Sequence, residues 1–188
     1  MVTRRIPSGP PVRMRWSPDD YHRAIDAGVF DDRRVELVEG EIYEMPPMRE
    51  PHIGAARYLE RTFAILLASD RLLIDKPIIL PQDGEPQPDI AVVREGAPLK
   101  PHVDDVLLAI EVSHTTRLFD RGLKLEAYLR DGLRELWIVD LGVRELLVFR
   151  GGELTATFRA GQGREITGLH VPEITVDVDA LFAAAGPA

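Results

Sequence analysis

The sequence predicts an α/β fold: a mixed β-sheet flanked by helices, with an N-terminal helix and a β-hairpin in front of it. Three observations carry this. An apolar strand beginning at Val106 is followed by a polar bend, a helical segment and a second apolar strand ending at Asp140. Such a strand–helix–strand unit implies a parallel pair joined by a right-handed crossover. The segments on either side alternate and are joined by short turns, as hairpin strands are. Between them, residues His52 to Ala68 repeat apolar side chains near 3.6 spacing, the pattern of a helix with one buried face.

In chain order, Met1 to Arg15 holds Pro7, Gly9, Pro10 and Pro11 and reads as a flexible extended arm. Residues 16–188 then form one domain. Ser17 is placed to N-cap a short helix with Pro18 at its first position, stopping at Gly28. Arg33 to Ile42 reads as a hairpin turning at Glu39-Gly40, and Pro46-Pro47 ends it. In the helix from His52, the expected buried stripe is Ile53, Ala56, Leu59, Phe63, Leu66 and Leu67. Lys76 to Leu80 is expected as a strand, Pro81 to Pro88 as a loop, and Asp89 to Val93 as a second strand. After the central strand and its bend, a helix is expected from Arg117 to Asp131 with Gly132 as its C-cap. Arg134 to Asp140, Arg144 to Phe149 and Glu153 to Arg159 read as strands. Glu173 to Phe182 closes the chain with a short strand and a helical turn.

The chain has 188 residues, 45% of them hydrophobic and 29% charged, which is enough for a single substantial core. No cysteine is present, which excludes disulfides and thiolate metal sites. No apolar run reaches the length of a transmembrane helix, and the basic start MVTRRIPSGPPVRMRW lacks the apolar core of a signal peptide, so no membrane association and a cytoplasmic location are expected. The net charge of −8 argues against an extended basic footprint for nucleic acid. Local basic patches remain, such as Arg4, Arg5, Arg13 and Arg15.

Glu111 is the residue that most needs a reason. It stands at the end of the apolar run Val106-Leu107-Leu108-Ala109-Ile110, where an unpaired carboxylate costs several kcal/mol. Asp89 opens the preceding strand, so neighbouring strands could bring both carboxylates to one hard cation, which needs only one or two from the protein. Ser113 shares the strand face of Glu111. Asp120, Lys124 and Tyr128 recur at i, i+4 on the following helix, and Lys124 could return toward the acids to offset charge at a phosphate. The same residues admit a plainer reading: Asp89 beside Pro88 is common turn chemistry, and Asp120–Lys124 is a surface pair worth about 0.3–0.5 kcal/mol. His22, His102 and His170 look isolated, and no Walker-type loop, GxGxxG or HExxH is present.

The ordered segments VELVEGEI, His52 opening a helix, PDIAVV, AIEVS, D-x-x-x-K-x-x-x-Y and GLRELWIVD resemble the Uma-two family of restriction-endonuclease-like proteins, assigned to the PD-(D/E)-x-K nuclease superfamily. The resemblance runs from about Trp16 to Phe182. It implies a restriction-endonuclease-like core and, residue by residue, a site. Asp89 matches the motif aspartate, Glu111 the motif acid and Lys124 a lysine relocated to the helix. Glu36 matches the glutamate of the hairpin and His52 the histidine at the first core helix, while Asp120 and Tyr128 frame the lysine. One departure from the wider superfamily stands out: the in-strand lysine position is occupied by Ser113.

The expectation is therefore a Mg²⁺- or Mn²⁺-dependent nuclease acting on nucleic acid. Asp89, Glu111 and Glu36 are the expected metal ligands, Lys124 orients water or offsets charge, and His52 supports substrate or a ligand. The alternative is a catalytically inactive, dimeric interaction or regulatory module on the same fold. A homodimer is expected, because the proline-bearing arm and the exposed strand near Glu153 to Arg159 offer edges that a second copy can cover.

Overall fold

A computed structural model describes residues 10–187. Arg4, Arg5 and most of the expected N-terminal arm lie outside those residues. The rest of the arm is laid on the hairpin: Arg13 pairs with Glu41 at 2.7 Å and the Trp16 N–H donates to the Gly40 carbonyl at 2.8 Å.

The first helix, α1 (Pro18–Asp26), starts as expected, with the Asp20 N–H donating to Ser17 Oγ at 3.1 Å and proline in the first turn. The hairpin pairs β1 (Val35–Val38) with β2 (Glu41–Glu44). Its two turn residues, Glu39 and Gly40, have φ of 52° and 71°. Positive φ at both central positions is what a two-residue turn needs to match the strand twist, and glycine supplies one of them without strain.

Six strands form the main sheet in the order β3-β4-β5-β6-β7-β8. These are β3 (Leu72–Ile74), β4 (Ile90–Val93), β5 (Val106–Ser113), β6 (Glu135–Asp140), β7 (Glu145–Arg150) and β8 (Glu153–Arg159). Only β5–β6 is parallel, and the crossover between them carries the helices expected there. The sheet is therefore mixed, and β5 and β6 at its centre are buried on both faces, which is why they read as near-continuous apolar runs.

One face packs on α2 (Glu50–Leu66) and α5 (Val178–Ala184), through Ile90, Ile110, Val112 and Trp137 against Leu59, Phe63, Leu181 and Phe182. The other meets Ala127, Tyr128 and Leu133 around α4 (Leu125–Arg130) and Val38 of the hairpin, through Ala91, Ala109 and Ile138. Since strand side chains alternate, Glu111 belongs to this second face, one residue on from Ile110.

Four details differ from expectation. Lys76 to Leu80 is not a strand; it makes only isolated bridges, Ile79 to His102 and Leu80 to Gly84. Pro77 has no N–H for a ladder, and Asp75 at φ 49° turns the chain just after β3, so the pairing partner of β4 lies earlier. A short strand β9 (Glu165–Thr167), absent from the sequence reading, pairs with β10 (Thr175–Asp177). The helix after β5 is not continuous. It runs as α3 (Arg117–Phe119), a wide turn over Asp120–Lys124 with Gly122 at φ −113°, ψ −105°, and then α4. Finally, α2 begins at Glu50, and its buried stripe is Ala55, Leu59 and Phe63, while Ile53 and Leu66 are exposed. The stripe is turned because α2 must face both the sheet and α5.

That docking uses Gly54 for a close approach: a Cβ there would sit 2.1 Å from the Ala184 carbonyl oxygen. Gly54→Ala should thus lower the melting temperature, although alanine improves helix propensity by about 1 kcal/mol. Overpacking against backbone costs about 1–3 kcal/mol before that gain. A thermal melt showing a more stable variant would contradict the close packing of α2 on α5.

Among the described residues, no helix is long and apolar enough to cross a membrane.

Candidate active site

The antiparallel register of β4 and β5 pairs Ile90 with Ile110. Continued by one residue, it sets Asp89 opposite Glu111, on the same face of the sheet, where opposed side chains stand about 5 Å apart at Cβ. The Asp89 carboxylate is fixed from two sides. The Val112 N–H donates to Oδ2 at 2.6 Å, and His52 Nε2, from the first turn of α2, stands 2.9 Å from Oδ1.

Lys124 is buried at the same place. Its ammonium lies 2.9 Å from Glu36 Oε2 and 2.9 Å from Glu111 Oε1, and donates to the Gln87 carbonyl at 3.2 Å. The Tyr128 hydroxyl donates to Glu111 Oε1 at 2.7 Å, and the Gln87 N–H to Glu36 Oε2 at 3.3 Å. So all five residues singled out for a site, Asp89, Glu111, Lys124, Glu36 and His52, line one cleft, together with Asp120, Gln87 and His114. Asp120 turns inward as well and accepts a hydrogen bond from Thr116 Oγ1. The surface-pair reading of Asp120–Lys124 fails because the wide turn over Asp120–Lys124 buries both side chains.

The electrostatics follow from one buried cation among several acids. Burial alone would lower the Lys124 ammonium, but Glu111, Glu36 and Asp120 around it raise it above the usual lysine value. Glu111 is pushed well above the usual glutamate value by burial; Lys124 opposes this, and Asp120, Asp89 and Glu36 reinforce it. Burial likewise raises Asp120. The Tyr128 phenol is held well above its ordinary value by burial and then by Glu111 and Glu36, so it stays a donor. For His52, burial works downward, but the Asp89 carboxylate 2.9 Å away outweighs it and raises the imidazole.

Several groups were not legible as site residues. Gln87 contributes through its backbone, which no side-chain pattern reports. Arg34 and Arg49 line the cleft from the approaches to β1 and α2. His22, expected to be isolated, stands 2.8 Å from Glu85 Oε2, which also pairs with Lys100 at 2.6 Å. Glu39 is away from the cleft at the hairpin turn, paired with Arg130.

The oxygens available to a cation are those of Asp89, Glu111 and Glu36. All are hard donors of the kind Mg²⁺ and Mn²⁺ take. Glu36 Oε1 is buried without a hydrogen-bond partner, as a ligand atom awaiting a cation would be. Among the described residues, no three acidic or histidine side chains already stand together as a closed ligand set. A cation entering here has to compete with Lys124 for Glu36 and Glu111.

A mixed sheet with one parallel central pair, meeting an acid from each of two adjacent strands and a lysine from the next helix, frames this cleft. The chain belongs to the Uma2 family, whose sequence model, described as "Putative restriction endonuclease", matches residues 18–179. A solved structure from Anabaena variabilis, titled "a putative nuclease belonging to DUF820", superposes with a TM-score of 0.65 at 16% identity, covering 82% of this chain and 92% of that one. At that identity the likeness is one of fold. No curated protein matches the chain.

Proposed function

We propose that this protein is a Mg²⁺- or Mn²⁺-dependent nuclease that hydrolyses phosphodiester bonds of nucleic acid. The observation that carries this is the convergence of Lys124 with Glu36 and Glu111, beside Asp89, in one cleft of a chain belonging to a nuclease-like family. Asp89, Glu111 and Glu36 would hold the cation. When bound, it polarises a phosphoryl oxygen and lowers the pKa of a water. Lys124, kept protonated by its acids, offsets negative charge developing on the phosphate. Tyr128 anchors Glu111 in place, and Asp89 holds the His52 imidazole in the cleft, in position to carry or return a proton. The protein acts in the cytoplasm, as a homodimer formed along the β8 edge; a solution mass of one chain at micromolar concentration would remove the dimer.

If the acids form a ligand set, Mg²⁺ or Mn²⁺ should stabilise the fold by mass action, by about 2.7 kcal/mol at a hundred times the dissociation constant, and raise the melting temperature accordingly. Asp89→Asn combined with Glu111→Gln should abolish that increment. An unchanged increment in calorimetry of the double variant puts the cation elsewhere. One observation favours the second reading, an inactive interaction module: Lys124 already pairs with both Glu36 and Glu111. The two readings separate on metal-dependent cleavage of mixed single- and double-stranded DNA and RNA. Cleavage by the wild type that is lost in the double variant supports the nuclease; no cleavage across those substrates supports the module.

A further inference from the structure

We propose that the corner between β5 and α4, residues 114–121, is the surface that grips the nucleic-acid strand, with Arg117 and Arg121 on its phosphates and Leu118 against a base. This rests on the nuclease reading of the cleft. Three features of the corner point the same way.

The first is how the arginines are held. Arg117 Nε and Arg121 Nη1 converge on Asp140 Oδ2 at 2.6 and 2.8 Å. Asp140 is fully buried at the end of β6, and its other oxygen accepts the Gly142 and Val143 N–H groups at 3.1 and 3.3 Å. A rigid anchor thus takes one edge of each guanidinium, while the side chains of Arg117 and Arg121 remain 47% and 32% exposed. The remaining N–H groups of each fork suit phosphate oxygens. With Asp120 counted, the corner's two arginines and two aspartates balance, so what it offers a phosphate is the pair of exposed guanidinium edges.

The second is position. The parallel register places Asp140 beside Ser113, two residues along β5 from Glu111, about 7 Å. The anchor therefore sits about one nucleotide step from the acids, and Arg49 of the cleft adds positive charge to the same approach.

The third is Leu118, 93% exposed between the two arginines. Leucine is among the apolar side chains that minor-groove binders press between base steps.

The test is fluorescence anisotropy of labelled single- and double-stranded oligonucleotides over a range of salt, without divalent metal, using the full chain. Arg117→Gln and Arg121→Gln are made singly, so that Asp140 always keeps one arginine. Each should weaken binding and reduce the log–log salt slope by about 0.7 on a single strand or about 0.9 on a duplex. Leu118→Ala, at a fully exposed position, should weaken binding several-fold with the slope unchanged. A wild type that cleaves, with all three variants keeping its affinity and slope, overturns the grip and leaves the nuclease standing. A wild type that neither binds nor cleaves any of these substrates overturns both.

Discussion

Lys124→Met should lose metal-dependent cleavage by about 100-fold or more and, at neutral pH, about 3–5 kcal/mol of stability. The kinetic loss follows from removing the cation that reaches both Glu36 and Glu111 in the cleft. The stability loss follows from burial: without the ammonium, Glu36 and Glu111 are left as uncompensated carboxylates in the interior. An exposed i, i+4 lysine would cost only about 0.5 kcal/mol. The stability deficit should shrink as pH falls, because protonating those acids removes the unpaired charge. Adding Glu36→Gln to Lys124→Met should recover part of the stability and none of the cleavage. Urea melts and cleavage rates, measured where each variant is folded, decide it. A double variant that regains cleavage along with stability would reduce Lys124 to a structural ion.

Glu111→Gln should have the opposite pairing of effects: a folded protein, at least as stable as wild type without metal, with cleavage down about 100-fold or more. Glutamine mimics the protonated acid and still accepts the hydrogen bond of Tyr128. The sign follows from linkage. Burial raises Glu111 in the folded state above its ordinary 4.5, so the folded protein binds that proton more tightly than the unfolded chain. Wild-type stability from this group is then present at acid pH and falls as pH climbs from 4.5 toward the raised value. The variant lacks that fall, so its advantage should appear on going from acid to neutral pH. Such a site, destabilised for the sake of its chemistry, is a familiar trade. A Glu111→Gln protein less stable than wild type at neutral pH, in calorimetry without metal, means that Glu111 serves as a structural partner of Lys124.

Much of the architecture was readable locally. The α1 cap needs only Ser17 and Pro18, the hairpin turn only Glu39 and Gly40, and the centre of the sheet only two apolar runs joined by a helix-length connection. The pairing of Asp89 with Glu111 was legible for the same reason, since both flank strands that follow each other in the chain. Gly122 was visible too, but its effect was not: periodicity alone continues the helix through it.

By itself, then, the sequence determined the fold class, the elements whose signals lie within a few residues, and the acids and lysine that mark the cleft. Only the tertiary structure decided that Lys124 is buried, that Glu36 reaches it from a hairpin far away in the chain, that Pro77 yields its place in the sheet to Leu72–Ile74, and that α2 turns Ala55, Leu59 and Phe63 inward. The physical reason is range. Caps, turns and periodicity act over three or four residues, whereas the partner of a buried charge and the face a helix hides are set by what packs against them from elsewhere in the chain.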